Sequence, residues 1–148
     1  MTPFAKQVYR SDSAFMLTDV LKGTFTSPYG TGRGLGLEND MPAAGKTGTT
    51  NSSKDTWFCG YTPYYTAAVW VGYDIPRNMP GIYGATYAGK IWKNVMDEIH
   101  QGLPPLDWEQ PDTVERRADE TNGIEDYFST TAQFRAQQSF MKRNRLRF

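Results

Sequence analysis

The strongest periodic pattern in the sequence lies near position 90 and is that of a helix. Apolar residues recur there at i, i+3, i+4, i+7, i+8 and i+11, which places them on one face of an α-helix. These residues are Ala88, Ile91, Trp92, Val95, Met96 and Ile99. Gly102 and Pro104 follow, and both residue types end helices. The pattern predicts a C-terminal amphipathic helix.

A second helix is predicted near the N-terminus. The sequence Ser-Asp-Ser that begins at Ser11 can cap a helix, and Gly23 lies where the helix is expected to end. The apolar residues between them have helical spacing: Ala14, Leu17, Val20 and Leu21. We expect these four residues to form the apolar side of an amphipathic helix.

Between the two helices lie two runs that are typical of β-strands, residues 56–62 and 66–73. Residues 63–65 separate them at hairpin length, so we predict an antiparallel pair with the segment around Lys46 as a third strand. A helix that follows a short antiparallel meander is expected to cover one of its faces. The predicted fold class is α+β, with about three antiparallel strands packed with an N-terminal and a C-terminal helix.

The texture of the sequence changes after about position 107. Residues 112–126 are rich in acidic side chains and poor in apolar ones, and residues 134–148 are rich in arginine. We therefore divide the chain into a folded portion, residues 1–106, and a variable, partly disordered or helical tail, residues 107–148. Binding of the basic end to a polyanion or a membrane surface stays an alternative interpretation of this tail.

The composition of the 148 residues is 39% hydrophobic and 14% aromatic, which is enough for one modest core. Lys plus Arg and Asp plus Glu are both 16, so a net charge of zero gives no field that would attract nucleic acid. With one cysteine and one histidine, neither an internal disulfide nor a zinc cluster is expected, and no cofactor is called for. No signal-like start or run of about 18 apolar residues is present.

The segment Lys46-Thr47-Gly48 admits two interpretations, and the first is a nucleotide-binding loop. Gly45-Lys46-Thr47 matches the end of the motif G-x-x-x-x-G-K-[ST]. However, Asp40 occupies the position of the first glycine, and its carboxylate would repel phosphate. The polar residues that follow are also a poor start for the helix such a loop requires. This interpretation is disfavoured.

The second interpretation is a strand of the serine acyl-transferase kind, in which an ammonium group and hydroxyls line a cleft. A glycine in such a strand lets the substrate backbone approach closely. Because side chains alternate along a strand, Lys46 and Gly48 are expected on one face, and Thr47 and Thr49 on the other, unless the strand is twisted or bulged.

The surrounding residues strengthen the second interpretation. The segments AGKTGTTN (44–51), KDTWFCGYTP (54–63) and AVWVGYD (68–74) resemble the end of the transpeptidase domain in bifunctional class A penicillin-binding proteins. FMLTDVLKG (15–23) and the Gly-Thr-Gly that starts at Gly30 resemble the helix and turn that precede that motif. The resemblance covers roughly residues 8–104 and implies part of a β-lactamase/transpeptidase-like fold.

The resemblance also implies roles for site residues. In this family the serine of an S-x-x-K motif attacks the D-Ala-D-Ala end of a peptidoglycan stem peptide, and β-lactams mimic that donor. Lys46 would supply positive charge and orient a proton relay, and Thr47 and Thr49 would bind the terminal carboxylate of the substrate. Gly48 would keep the approach open, and the Thr49 amide would complete an oxyanion hole, which acts by fixing donors before charge develops.

The chain departs from the family pattern in its other motifs. S-x-N is absent from the sequence, and the one S-x-x-K runs from Ser139 to Lys142, after Lys-Thr-Gly rather than before it. An activated nucleophile with an adjacent base is therefore not expected within this chain. The leading hypothesis is a transpeptidase fragment that is inactive alone, and the alternative is a non-catalytic module that binds peptide carboxylates.

The hypothesis carries expectations about partners and place. The upstream part of the same penicillin-binding protein, stem peptides and β-lactams are the expected partners, at the extracytoplasmic face of the bacterial cytoplasmic membrane. The family's domain has a five-stranded sheet, so three strands alone would leave an unpaired edge and exposed apolar faces. We therefore expect self-association or marginal stability.

Several other residues are expected to have structural roles. Asp55 is predicted to cap a turn. Cys59 is predicted to be a buried, inert thiol, and His100 a surface residue in the last turn of its helix. The tryptophans Trp57, Trp70 and Trp92 are expected in the core.

Overall fold

The computed structural model describes residues 6–119 and 122–131. Its helices and strands are, in chain order, α1 (Ser11–Thr26), β1 (Ala44–Thr49), β2 (Asp55–Tyr61), β3 (Thr66–Gly72), α2 (Tyr87–Ile99), β4 (Val114–Ala118) and β5 (Glu125–Ser129). The described residues fall into two compact units. Residues 18–108 form the sheet unit, and the residues up to 17 together with those from 109 onward form the hairpin unit.

The sheet unit contains a three-stranded antiparallel sheet in the order β1-β2-β3. Its register pairs Lys46 with Cys59 and Phe58 with Val69, and it is continuous along both pairs of strands. The three predicted strands are therefore confirmed, and with the two predicted helices they confirm the α+β fold class. The connections are short, as expected for a meander.

Helix α2 packs on one face of this sheet, against β2 and β3. Its buried side chains include Ala88, Trp92 and Met96, one turn apart, and the Trp92 ring lies 5.0 Å from that of Phe58 between centroids. The other half of the predicted apolar pattern is different, because Ile91, Val95 and Ile99 are exposed. The apolar stripe is wider than the surface that the described sheet can cover.

The opposite face of the sheet carries side chains that the sequence analysis placed in the core. Trp57 is 44% exposed, Trp70 is 42% exposed, and Cys59 is exposed as well. The predictions of a buried Cys59 and of core positions for Trp57 and Trp70 are wrong, whereas Trp92 is buried as predicted. These three residues point away from α2 because side chains alternate along a strand.

Helix α1 is present where it was predicted and extends past Gly23 to Thr26. Its predicted apolar side is not its buried side, since Leu17 and Val20 are exposed while Thr18 is buried. The Thr18 hydroxyl hydrogen-bonds the Tyr61 hydroxyl at 2.9 Å, so this buried polar group has a partner. Helical periodicity identified the element, but not the face that packs.

The hairpin unit contains a feature that the sequence did not predict. Strands β4 and β5 form a two-stranded antiparallel sheet within the region interpreted as a tail. Buried Asp12 accepts hydrogen bonds from Arg10 and from the Ser129 hydroxyl within this unit. The boundary at residue 107 stays a prediction, and Ser139 and Lys142 lie outside the described residues.

His100 follows the last residue of α2 and is buried, which contradicts its predicted surface position. Its Nδ1 lies 2.7 Å from the Met96 carbonyl oxygen, so Nδ1 carries the proton and donates it. Its Nε2 lies 2.8 Å from the Thr62 hydroxyl. With both ring nitrogens paired, His100 joins the end of α2 to the β2–β3 connection.

Neither described helix is long and apolar enough to cross a membrane.

Candidate functional site

The Lys-Thr-Gly segment lies in β1, at an edge of the described sheet. β1 pairs with β2 in an unbroken register, so neighbouring side chains point to opposite faces. A Cβ atom added to Gly45 would lie 3.3 Å from the Phe25 ring, which places Gly45 on the face that carries the core. Thr47 and Thr49 share that side, and Lys46 points to the other. The structure has no bulge that would alter this alternation.

The Lys46 ammonium group nevertheless contacts Thr47, because the lysine side chain bends towards the next residue of the strand. The Lys46 Nζ donates to the Thr47 carbonyl oxygen at 2.9 Å and to the Thr47 Oγ1 at 3.3 Å. Lys46 is exposed and Thr47 is half-buried. The ammonium group and a hydroxyl therefore lie side by side at the sheet edge, open to solvent, where an anion could approach both.

The Thr47 hydroxyl has a second partner. Its Oγ1 donates to the Thr31 Oγ1 at 2.9 Å. Thr31 lies in the glycine-rich connection between α1 and β1. Sequence reasoning did not identify Thr31 as a site residue. The available signal was the run of glycines at every second position from Gly30 to Gly36.

Thr49 is exposed and has a different partner. Its Oγ1 accepts a hydrogen bond from the Gly84 backbone N–H at 3.2 Å. A Cβ atom added to Gly84 would lie 2.5 Å from the Trp57 carbonyl oxygen and 2.9 Å from that of Gly48, so only glycine fits this close approach. The bond uses a lone pair of the Thr49 oxygen and leaves the hydroxyl proton available to a ligand acceptor.

Gly48 lies between these two threonines. A Cβ atom added there would lie 3.2 Å from the Trp57 Cβ, a tight but local contact. The segment after β1 is a short 3₁₀ turn, Asn51–Ser53, rather than the α-helix that a nucleotide-binding loop would precede. The geometry therefore excludes a nucleotide-binding loop, which the sequence had already disfavoured.

Asp55 begins β2 and closes the turn after β1. Its backbone N–H donates to the Thr50 Oγ1 at 2.9 Å, and its Oδ1 accepts the Trp70 indole N–H at 3.1 Å. The turn is thus closed by the Thr50 hydroxyl, while the Asp55 carboxylate bonds to β3 across the sheet. Among the residues that the structure describes, no group of three or more His, Cys, Asp or Glu side chains could hold a metal ion.

The sequence and the fold of this chain resemble known proteins. The family model described as penicillin binding protein transpeptidase domain matches residues 2–97. The chain therefore belongs to the penicillin-binding protein transpeptidase domain family, and the resemblance seen in the sequence is confirmed.

Individual relatives of the chain include penicillin-binding proteins 1A. The chain is 41% identical over 109 residues to Penicillin-binding protein 1A of Clostridium botulinum, a match that covers 74% of this chain and 13% of that protein. It is 41% identical over 86 residues to Penicillin-binding protein 1A of Neisseria lactamica, covering 57% of this chain and 11% of that protein.

A solved structure shows the same fold. Penicillin-Binding Protein 1A from Haemophilus influenzae superposes with a TM-score of 0.75 at 24% identity, covering 85% of this chain and 21% of that one. The likeness confirms a partial transpeptidase-like fold. The chain spans about an eighth of the length of the curated relatives that it matches, 13% for the Clostridium botulinum protein.

Proposed function

We propose that the β1 edge forms one wall of the donor site of a serine-type D-Ala-D-Ala transpeptidase that cross-links peptidoglycan and binds penicillin. The observation that carries this proposal is the meeting of the Lys46 ammonium and the Thr47 hydroxyl at an open strand edge, with the Thr49 hydroxyl two residues further along. One positive charge and two hydroxyls suit a carboxylate, and the D-Ala-D-Ala donor ends in one.

In the proposed reaction this chain binds the donor peptide and polarises its carbonyl group, while another part of the longer protein supplies the nucleophile. A serine oxygen attacks the carbonyl carbon between the two D-alanines, and its proton passes through the relay that Lys46 orients to the leaving amine. The C–N bond then breaks and the terminal D-alanine leaves with that proton. An acceptor amine next attacks the ester carbonyl carbon, the C–O bond to the serine breaks, and the amine proton passes to the serine oxygen. The Thr49 amide would stabilise the oxyanion in both steps.

The nucleophile is proposed to lie in the part of the longer protein that precedes this chain. The sequence has no S-x-N, and its one S-x-x-K starts at Ser139, after the Lys-Thr-Gly segment. We propose that the 148 residues alone form no penicillin ester. No metal or organic cofactor takes part in this chemistry.

The same preceding part is the proposed partner for the exposed face of the sheet. Trp57, Trp70 and Cys59 are exposed on one side, and β3 is an edge strand of the described sheet. Covering them would remove apolar surface from water. Assembly would occur at the extracytoplasmic face of the bacterial cytoplasmic membrane. Without that part, we expect the chain to self-associate or to be marginally stable.

Benzylpenicillin and intact-mass spectrometry test the proposal. A fusion protein joins the part of the Clostridium botulinum relative that precedes its matched segment to this chain. We expect the fusion protein, but not the chain alone, to gain one covalently bound benzylpenicillin. Lys46→Met should slow adduct formation by about 100-fold or more, because it removes the charge that orients the proton relay. Thr49→Val keeps the backbone amide and loses one hydrogen bond to the carboxylate, so it should weaken benzylpenicillin binding by about 10-fold or more. Thr26→Val, at the exposed end of α1, is the matched control and should have no effect.

Two results would contradict the proposal. An adduct on the 148-residue chain alone would show that its nucleophile is present after all. A fusion protein that folds, as judged by its thermal transition, but forms no adduct would remove the transpeptidase assignment.

A binding module without catalysis is the second candidate, because the carboxylate-binding groups are all within this chain. It predicts that N-acetyl-D-Ala-D-Ala shifts the amide resonances of Thr47 and Thr49 in the isolated chain. Absence of any shift at millimolar peptide would count against that candidate and leave the first one intact.

A further inference from the structure

The connection before β1 is held very close to the end of α1. The Gly30 N–H donates to the Ser27 carbonyl and the Gly32 N–H to the Thr24 carbonyl, at 2.9 and 3.0 Å. A Cβ atom added to Gly30 would lie 2.3 Å from the Thr24 carbonyl oxygen, which no side chain could tolerate. Thr31, between these two glycines, is therefore fixed in position by backbone contacts on both sides.

Thr24 fixes the neighbouring strand as well. Its side chain is buried, and its Oγ1 donates to the Gly45 carbonyl oxygen at 2.6 Å. One residue of α1 thus holds both the Thr31 connection, through its carbonyl, and β1, through its hydroxyl. The spacing between Thr31 and Thr47 is set by this shared anchor rather than by their own contact.

Either hydroxyl can be the donor in the hydrogen bond between Thr31 and Thr47. The Thr47 Oγ1 accepts a hydrogen bond from the Lys46 ammonium at 3.3 Å and donates one to the Thr31 Oγ1 at 2.9 Å. A carboxylate is an acceptor only, so Thr47 can bind it only by turning its proton away from Thr31. The Thr31 hydroxyl can then become the donor, since a hydroxyl both donates and accepts.

We propose that Thr31 is a positioning residue for the donor carboxylate: it holds the Thr47 hydroxyl in place before binding and donates to it when Thr47 turns its proton to the substrate. This inference rests on the proposed function and deepens it. Thr49 differs, because its oxygen already accepts the Gly84 N–H and its proton needs no reversal. Thr31 itself does not touch the substrate.

The first test uses the full chain in solution. Three-bond couplings measure the χ1 rotamer of Thr47 in the wild-type chain, in Thr31→Val and in Thr31→Ser. Valine keeps the shape of threonine but lacks the hydroxyl, and serine keeps the hydroxyl. We expect a single Thr47 rotamer in the wild type and in Thr31→Ser, and averaging over rotamers in Thr31→Val. An unchanged, single rotamer in Thr31→Val would overturn the positioning role.

The second test compares benzylpenicillin with its methyl ester, which lacks the free carboxylate, in the fusion protein. Thr31→Val should raise the concentration of benzylpenicillin that gives half-maximal acylation by about 5- to 10-fold, the loss of about one hydrogen bond. The limiting rate of acylation should change little, and Thr31→Ser should restore the wild-type value. With the methyl ester, Thr31→Val and Thr31→Ser should reach half-maximal acylation at the same concentration. An equal loss with both compounds would show a merely structural role.

The two proposals fail in different ways. If the wild-type fusion protein does not react at all, the transpeptidase assignment fails, while the couplings still decide whether Thr31 positions Thr47. If the fusion protein reacts and Thr31→Val acylates like the wild type with benzylpenicillin, only the role of Thr31 is lost. Thermal unfolding of each variant shows whether a loss comes from misfolding.

Discussion

The contacts inside the sheet unit differ in kind from the contacts inside the hairpin unit. In the sheet unit, Phe58, Trp92 and Met96 are completely buried and pack side chain against side chain. In the hairpin unit a carboxylate is the most buried side chain, with Asp12 bonded to Arg10 and Ser129. Apolar contacts leave a periodic pattern in a sequence, whereas a polar network does not, so the β4–β5 hairpin was not predicted.

Removal of Trp92 is the change expected to have the largest effect. Trp92→Ala should destabilise the sheet unit by about 3–5 kcal/mol, the usual cost of losing a buried aromatic side chain. It also removes the hydrogen bond from the Trp92 indole N–H to the Gly60 carbonyl. Urea unfolding followed by circular dichroism measures the effect. Trp70→Ala, on the exposed face, is the control and should cost far less; equal losses would contradict the one-sided core.

The hairpin unit should instead be sensitive to Asp12. Asp12→Ala removes the acceptor of Arg10 and Ser129, and hydrogen bonds to a charged group contribute about 1.5–3 kcal/mol. We expect faster amide hydrogen exchange in β4 and β5 by a corresponding factor, with little change in β1 to β3. An equal loss of protection in both units would show that the two units do not unfold independently. Asp126→Ala, an exposed carboxylate in β5, is the matched control.

A methyl group at Gly60 tests how tightly the sheet unit is packed. The added Cβ atom would lie 2.6 Å from the Trp92 ring, so Gly60→Ala should cost about 1–3 kcal/mol. Gly23→Ala is the opposite case, because nothing lies within 4 Å of its added Cβ atom and it lies inside α1. That variant should gain about 0.5–1 kcal/mol. Thermal unfolding distinguishes the two, and a neutral Gly60→Ala would show a looser core.

The smallest effect concerns pH. The hydrogen bond from Arg10, with others from Ser129 and Ser13, holds the pKa of the Asp12 carboxyl well below its usual range, although burial acts to raise it. The stabilising contribution is therefore fully present above the unfolded pKa of about 4 and is lost as pH falls through the folded value.

By pH 3 this contribution should fall by about 1 kcal/mol, since one proton gives at most about 1.4 kcal/mol per pH unit. Hydrogen exchange of β4 and β5 at pH 5 and pH 3 measures it. Asp12→Asn cannot titrate, so its hairpin should lose less protection over that range. The same acid sensitivity in Asp12→Asn would assign it to another group.

The sequence predicted those parts of the fold whose residues share one periodic environment. Helix α2 and strands β2 and β3 were placed within one residue of their ends, because alternation and helical spacing persist through them. The face that packs was less predictable. Leu17 and Trp57 look like core residues in sequence but are exposed, since no element of the described chain covers them.

The candidate site was predictable in its motif and not in its supports. Lys46, Thr47 and Thr49 were found because the surrounding strands resemble a known family. Thr31 and Gly84 could not be found by spacing, since each reaches β1 from a different part of the chain, 16 and 35 residues from its partner. His100 was misplaced for the same reason, because its partner Thr62 is distant in sequence.

The order of the strands has a consequence for how the chain folds. Strand β1 pairs with β2 and β2 with β3, so each strand pairs with its neighbour in sequence across a short connection. Sheets built from such local pairs close small loops and form quickly. The sheet that carries Lys46 is therefore expected to form first from residues 44–72, and a segment distant in sequence is expected to dock on its exposed tryptophans afterwards.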